Sequence, residues 1–220
     1  PALVFVPAAI SPFKRRARAG ASGEDRVAML RAAIKGVDRA SVWTEEIDRA
    51  ERARREIEKN GGGEVGGGNE PGPSYWIDTL CALRTQIDPP GRERVRVWFI
   101  LGSDQVVQFH RWKSYREILT LAEPVVLLRE PVGTKGELKQ ALAGAGVWSG
   151  EEVGWWLARV AEVGLEDVSS THIRGLLARC SDAHQRGEVD HAAEEDLGRW
   201  LAPGVLEVIR ERGLYGNALS

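Results

Sequence analysis

Short β-rich apolar runs alternate along this chain with stretches whose apolar residues recur at helical spacing, and that alternation constrains the fold more than any other feature. Residues 3–6, 41–47, 95–101 and 124–129 read as strands, and a further strand is predicted between 163 and 168. Helices are predicted at 24–35 on Val27, Leu30 and Ile34, and from Ser74 as N-cap through Ile77, Leu80 and Leu83. More follow around Val107, Trp112 and Ile118, over 135–143, from Ser170 to Arg179, and as one or two amphipathic helices in the tail. Strands that alternate with helices, and are apolar along their whole length, imply an α/β fold with a parallel sheet covered by helices on both faces. Ligands on such sheets bind beyond the carboxyl ends of the strands, so those ends are where chemistry is sought.

The 220 residues suffice for one domain, with a flexible charged and glycine-rich insertion predicted at 49–72. The charged segment 48–59 at its start also reads as a solvated helix. The glycine run after it lacks the Lys-Ser/Thr ending of a phosphate loop. Thirty basic residues against thirty-two acidic ones leave a net charge of −2, which argues against broad electrostatic binding of nucleic acid or of an anionic membrane. No apolar stretch approaches the roughly 20 residues of a membrane span. Cys81 and Cys180 stand far apart without metal-ligand spacing, which points to the cytoplasm. A homo-oligomer stays among the options.

Four segments can carry chemistry. In Val168-Ser169-Ser170-Thr171-His172-Ile173-Arg174 a strand end meets a helix start, so free N–H groups, the positive end of the helix dipole, two hydroxyls and a guanidinium one turn on all suit a polyphosphate. An ordinary Ser/Thr cap beside a surface arginine explains the same residues. In Leu101-Gly102-Ser103-Asp104 the glycine permits close approach to the backbone, and Asp104 either accepts from a ribose hydroxyl or caps its own helix. Trp112, with Lys113 beside it, offers a flat face to an aromatic ring or packs in the core. Tyr75 and Trp76 stand at a helix start where they can border a planar substrate, and Lys14 lies in a loop after the first strand, where its ammonium can meet phosphate or simply solvent.

Taken in order, these blocks resemble the nicotinate-nucleotide adenylyltransferase family of the nucleotidyltransferase superfamily. The likeness rests on Ser74-Tyr75-x-Ile77-Asp78-Thr79-Leu80, the strand-Gly102-x-Asp104 block with its later Trp112, Val125-Val126-x-x-Arg129, Ser169-Ser170-Thr171-x-Ile173-Arg174, and the closing Gly213-Leu214-Tyr215-Gly216. The resemblance implies a Rossmann-like sheet, ATP and nicotinate mononucleotide as substrates, Mg²⁺ with the ATP, and nicotinate adenine dinucleotide and pyrophosphate as products. By the same resemblance Gly102, Asp104, Arg129, Ser170, Thr171 and Arg174 would bind ATP. Tyr75, Trp76, Trp112 and Lys113 would border the mononucleotide, and Lys14 would lie near the phosphates.

The sequence departs from the family pattern at three places. Trp76 stands where a hydroxyl residue is usual, and Phe13 where a histidine is usual. None of His110, His172, His184 and His191 forms the family's opening His-x-Gly-His motif. The catalytic residues therefore remain unassigned, apart from Lys14 as a candidate. The expectation is that a first strand and helix precede Pro1 and that the chain without them is inactive. Two alternatives stand beside the leading one: a transferase acting on another phosphomonoester, and a catalytically silent nucleotide-binding protein.

Overall fold

The computed structural model describes residues 1–9, 20–59, 73–88, 91, 93–164 and 168–216. In chain order these form β1 (Leu3–Phe5), α1 (Gly23–Ala33), β2 (Ala40–Val42), α2 (Glu45–Lys59), α3 (Trp76–Ile87), β3 (Trp98–Gly102) and α4 (Ser103–Gln108). A 3-10 turn (Phe109–Arg111) leads to α5 (Tyr115–Leu121), β4 (Glu123–Leu127), α6 (Lys135–Gly144), α7 (Gly150–Leu157), α8 (Ser170–Gln185), α9 (His191–Trp200), α10 (Pro203–Glu211) and a last 3-10 turn (Leu214–Gly216). The contacts divide into two compact units, Pro1–Ser74 with Asp167–Ser220, and Tyr75–Glu166.

In the first unit β1 and β2 pair in parallel, Leu3 opposite Ala40 and Phe5 opposite Val42, with α1 as the crossover between them. A capping box starts α1: Ser22 Oγ accepts from the Asp25 N–H, and Asp25 accepts in return from the Ser22 N–H. Asp25 also pairs with Arg212 at 2.8 Å, and these bonds to Arg212 and Ser22 hold its carboxyl down to about 2. The core of this unit joins Leu176, Leu177 and Cys180 of α8 to Ala193 and Leu197 of α9 and to Val205 and Ile209 of α10. Apolar residues at i, i+1 and i+4 on α8 make the stripe that buries it.

In the second unit β3 and β4 also pair in parallel, from Trp98 opposite Glu123 to Gly102 opposite Leu127, and Val126 makes a parallel bridge to Val160. Phe99 and Leu101 alternate inward, while Trp98 and Ile100 face out and are exposed. Leu80, Val106, Phe109, Ile118, Val126, Leu138, Leu142 and Trp156 are fully buried around the inner face. Parallel strands joined through helices make the fold α/β, as the alternation predicts.

The structure corrects several boundaries. The strand predicted over 41–47 ends at Val42, because Thr44 starts a helix: its hydroxyl donates to Asp48 at 2.8 Å and its carbonyl accepts the Asp48 N–H. Acidic Glu45, Glu46 and Asp48 then sit in the first turn, where the dipole favours them. The solvated helix read over 48–59 forms as α2, starting earlier at Glu45 and laced by the i,i+4 pairs Glu45–Arg49 and Glu51–Arg55, so that 49–59 is helical rather than a flexible insertion. Residues 60–72 and Lys14 lie outside the described residues.

The N-cap of α3 is Tyr75, one residue later than Ser74, and it makes no side-chain capping bond. The continuous helix expected around Val107, Trp112 and Ile118 is broken by extended Trp112 and by Ser114 at φ 52°. No strand forms among the described residues of 163–168, and the bridge sits earlier, at Val160. Helix α7 is an addition, started by a Ser149–Glu152 capping box and buried through Val153 and Trp156.

Candidate functional site

The carboxyl ends of β3 and β4 bring three of the predicted residues together in the second unit. Asp104 and Arg129 form a two-bond pair, Nε to Oδ1 at 2.5 Å and Nη2 to Oδ2 at 2.7 Å, and Gln105 Nε2 donates to Asp104 Oδ2 at 2.9 Å. Partial burial opposes ionisation of Asp104, but the Arg129 and Gln105 bonds outweigh it and hold the carboxyl below its ordinary range. The same pairing raises the Arg129 guanidinium above its usual value.

Gly102 belongs to this arrangement for a steric reason: a Cβ there would collide with the Arg129 guanidinium and come within 2.5 Å of Asp104 Oδ1. The space above its Cα, which the sequence offers to a ligand, is crossed by the ion pair. Arg129 remains 59% exposed at its side chain, so the outer edge of its guanidinium faces solvent.

Ser103, which the sequence reading passes over, holds the arrangement from beneath. It is fully buried, and its hydroxyl donates to the Val132 carbonyl at 2.7 Å and accepts from the Arg129 N–H at 3.0 Å. The first residue of α4 thereby fixes the backbone from which Arg129 projects. The signal that could have found it is a small polar residue between a strand-terminal glycine and an aspartate, at the switch from period two to helix.

Four more predicted residues lie at the start of α3 and after the 3-10 turn, in the same unit. The Trp76 ring stands 6.1 Å from Phe99, Phe99 stacks 6.1 Å from Phe109, and Phe109 lies 5.1 Å from Trp112. Trp76 and Trp112 are thus half-buried ends of one aromatic row, and the indole N–H of each is buried without a protein partner. Lys113 places its ammonium 4.7 Å over the Tyr75 ring and 3.4 Å from Asp78 Oδ1.

Apart from Lys14, which is outside the described residues, the remaining predicted residues lie in the first unit, at the start of α8. Ser169 is the N-cap, and its hydroxyl accepts from the His172 N–H at 3.1 Å. Ser170 and Thr171 follow as the first helical residues, with backbone N–H groups that precede the first intrahelical bond. The side chains of Ser170, Thr171 and Arg174 are exposed, and Arg174 Nη2 reaches Thr171 Oγ1 at 3.4 Å. Exposed donors at the positive end of a 16-residue helix make an electropositive, anion-accepting start.

Residues 2–176 match the family model described as cytidylyltransferase-like. The chain belongs to the cytidylyltransferase-like family. Within it, the chain is recognised as a nicotinate-nucleotide adenylyltransferase relative. A probable nicotinate-nucleotide adenylyltransferase of Desulfatibacillum aliphaticivorans is 31% identical over 97% of this chain and 85% of that protein. A protein of the same description from Marinobacter nauticus is 30% identical over 96% of this chain and 82% of its own length. A solved structure titled Plasmodium falciparum nicotinic acid mononucleotide adenylyltransferase complexed with APC is similar at TM-score 0.44 and 13% identity, over 99% of this chain and 98% of that one. Among the described residues of this cytidylyltransferase-like chain, no three His, Cys, Asp or Glu side chains gather to hold a metal ion, and no helix is long and apolar enough to cross a membrane.

Proposed function

We propose that this nucleotidyltransferase relative transfers AMP from ATP to nicotinate mononucleotide, releasing pyrophosphate and forming nicotinate adenine dinucleotide, in the cytoplasm. The observation that carries the reading is the match, over nearly the whole chain, to relatives described by that activity. Features of each unit taken by itself are compatible with it: in the first an electropositive helix start for a polyphosphate, and in the second a fixed cation–carboxylate pair at the sheet's carboxyl end and an aromatic row for a pyridine ring.

In this reading Ser170, Thr171 and Arg174 hold the ATP phosphates. Gly102, Asp104 and the free edge of Arg129 meet the adenosine part, and Tyr75, Trp76, Trp112 and Lys113 border the mononucleotide. Lys14 is assigned to the phosphates on sequence alone. Mg²⁺ would come with the ATP as part of the substrate, and would supply further neutralisation of the phosphate charge beside Arg174.

A phosphate oxygen of the mononucleotide attacks the α-phosphorus in line, and the bond from that phosphorus to the α–β bridging oxygen breaks. The attacking phosphate is already anionic near neutral pH, so the step needs no general base from the protein. The protein's part is alignment and stabilisation of the charge that develops on pyrophosphate, from Arg174 and the α8 N–H groups. The test is pyrophosphate release with ATP or CTP as donor, and nicotinate mononucleotide or other phosphomonoesters as acceptor. Release specific to ATP with a pyridine mononucleotide is expected. Preference for CTP or for another acceptor would redirect the assignment, and binding without release would favour the silent alternative.

A further inference from the structure

We infer that Arg26 is a positioning residue for ATP: its guanidinium ties together the two ends of the connection from β1 to α1, and the chain's affinity for a polyphosphate depends on that tie. The inference rests on the proposed reaction and adds to it a residue that the sequence reading does not single out. Arg26 lies in the first turn of α1. Its backbone N–H donates to the Ser22 carbonyl at 3.1 Å, and its side-chain Nε donates to the same carbonyl at 3.3 Å. The other two nitrogens turn to the chain that has just left β1, Nη1 donating to the Ala8 carbonyl and Nη2 to the Ala9 carbonyl at 3.5 Å. One planar group thus joins the exit of the connection to its return.

The two ends are not held alike. The return is seated by packing: the Tyr215 ring lies so close to Gly20 that a Cβ there would stand 2.8 Å from Cδ1, and Ala21 is buried with Leu214 in the core of the unit. At the exit Ala8 is exposed and Ala9 half-buried, and among the described residues no backbone hydrogen bond holds either. The exit therefore depends on Arg26.

What the tie does for a ligand follows from the sequence it spans. Positions 10–21 carry Lys14, Arg15, Arg16 and Arg18 and no acidic side chain. A stretch tethered at both ends to one point has fewer conformations open to it than one tethered at a single end. Its cations therefore meet an anion near the carboxyl end of β1 at a higher effective concentration. A polyphosphate, with several charges to satisfy at once, gains most from this. Lysine in place of Arg26 keeps the charge but has no planar fork, so it cannot bond both ends in the same way.

The experiment measures the affinity of ATP and of inorganic tripolyphosphate by titration calorimetry at matched ionic strength, and KM and kcat by pyrophosphate release. The proteins are wild type, Arg26→Gln, Arg26→Lys, and a chain with Lys14, Arg15, Arg16 and Arg18 all replaced by glutamine, with and without Arg26→Gln. Both single variants should weaken ATP and tripolyphosphate by about fivefold or more, and should raise the KM for ATP by the same factor. The KM for the mononucleotide should stay within about threefold, a split that general loosening of the fold would not produce. In the neutralised chain, Arg26→Gln should change either affinity by less than about twofold, because the residue acts through the charges it confines.

Unchanged affinity in both single variants overturns the inference. So does wild-type affinity in Arg26→Lys, which would make charge rather than the fork decisive, and so does an undiminished loss in the neutralised chain, which would put Arg26 itself on the phosphates. If Arg26→Gln does not fold, Arg26→Lys carries the same comparisons. A wild type that binds both polyphosphates in an Arg26-dependent way but transfers nothing overturns the proposed reaction and leaves the inference standing, whereas one that binds neither overturns both.

Discussion

Replacing Ser103 by alanine removes one hydroxyl from a site with no solvent access, and the consequences follow from what that hydroxyl touches. It is the hydrogen-bond partner of the Val132 carbonyl at 2.7 Å and of the Arg129 N–H at 3.0 Å. Alanine leaves a partly buried carbonyl and a partly buried N–H without that partner, each deficit costing up to about 1–3 kcal/mol. The Val132 carbonyl keeps a second lone pair, and the backbone can relax slightly, so about 2–4 kcal/mol is expected for the pair. For a chain of this size 1 kcal/mol corresponds to roughly 2–4 °C in melting temperature, which puts the fall at about 5–15 °C. Urea unfolding should show a lower midpoint with the same slope. Because Arg129 projects from the loosened segment, the KM for ATP should rise more than the KM for the mononucleotide. Ser103→Cys, which keeps a weak donor at similar volume, should fall between the two. A loss under about 0.5 kcal/mol with unchanged KM for ATP would refute the idea that this hydroxyl holds the site.

Gly102→Ala should act differently, because a methyl there meets side chains that can swing into solvent: stability should change little, while the KM for ATP rises as the Asp104–Arg129 pair is forced apart, read from unfolding and initial rates on one preparation. Arg174→Ala should cost a charge-assisted phosphate contact of about 1.5–3 kcal/mol, a rise of roughly 10- to 150-fold in the dissociation constant for ATP. Its melting temperature should be unchanged, since the side chain is exposed. For Asp25, the folded-state carboxyl is depressed from 3.8 to about 2, so its contribution is present above 3.8 and is lost as pH falls toward 2. Arg212 is 44% exposed at its side chain, which limits that contribution to under about 1 kcal/mol. Asp25→Asn should therefore flatten the acid dependence of stability in that window and leave its slope above pH 5 untouched.

What the sequence made legible, and what it hid, divides along physical lines. Helix α8 could be read closely because its start is local: Ser169 caps it through a bond spanning three residues, and nothing distant is needed to predict that Ser170 and Thr171 open the helix. The strand expected over 41–47 is too long, although what ends it is equally local. Thr44 and Asp48 carry a capping signal, but the apolar Val42, Trp43 and Ile47 around them imitate a strand, and the short-range polar bonds won. Helix α7 is not evident from the apolar pattern, although Ser149 and Glu152 form a capping box. Its two adjacent tryptophans, Trp155 and Trp156, blur the periodicity, since one packs under Arg159 and the other is buried.

The site shows the sharper contrast. The sequence points to Gly102, Asp104 and Arg129 individually, each for contact with a ligand. Their contact with each other depends on β3 lying beside β4 with Gly102 opposite Leu127, a register that no window of either segment contains. The pairing explains the glycine sterically and makes Asp104 less available than an isolated carboxylate would be. If ATP is the ligand, its adenosine must therefore either accept what the preformed pair still offers or displace Arg129 from Asp104. The two routes differ in an observable: displacement frees the Asp104 carboxyl from its guanidinium and should raise its pKa on binding, with proton uptake at acidic pH, whereas docking on the intact pair should leave that carboxyl depressed.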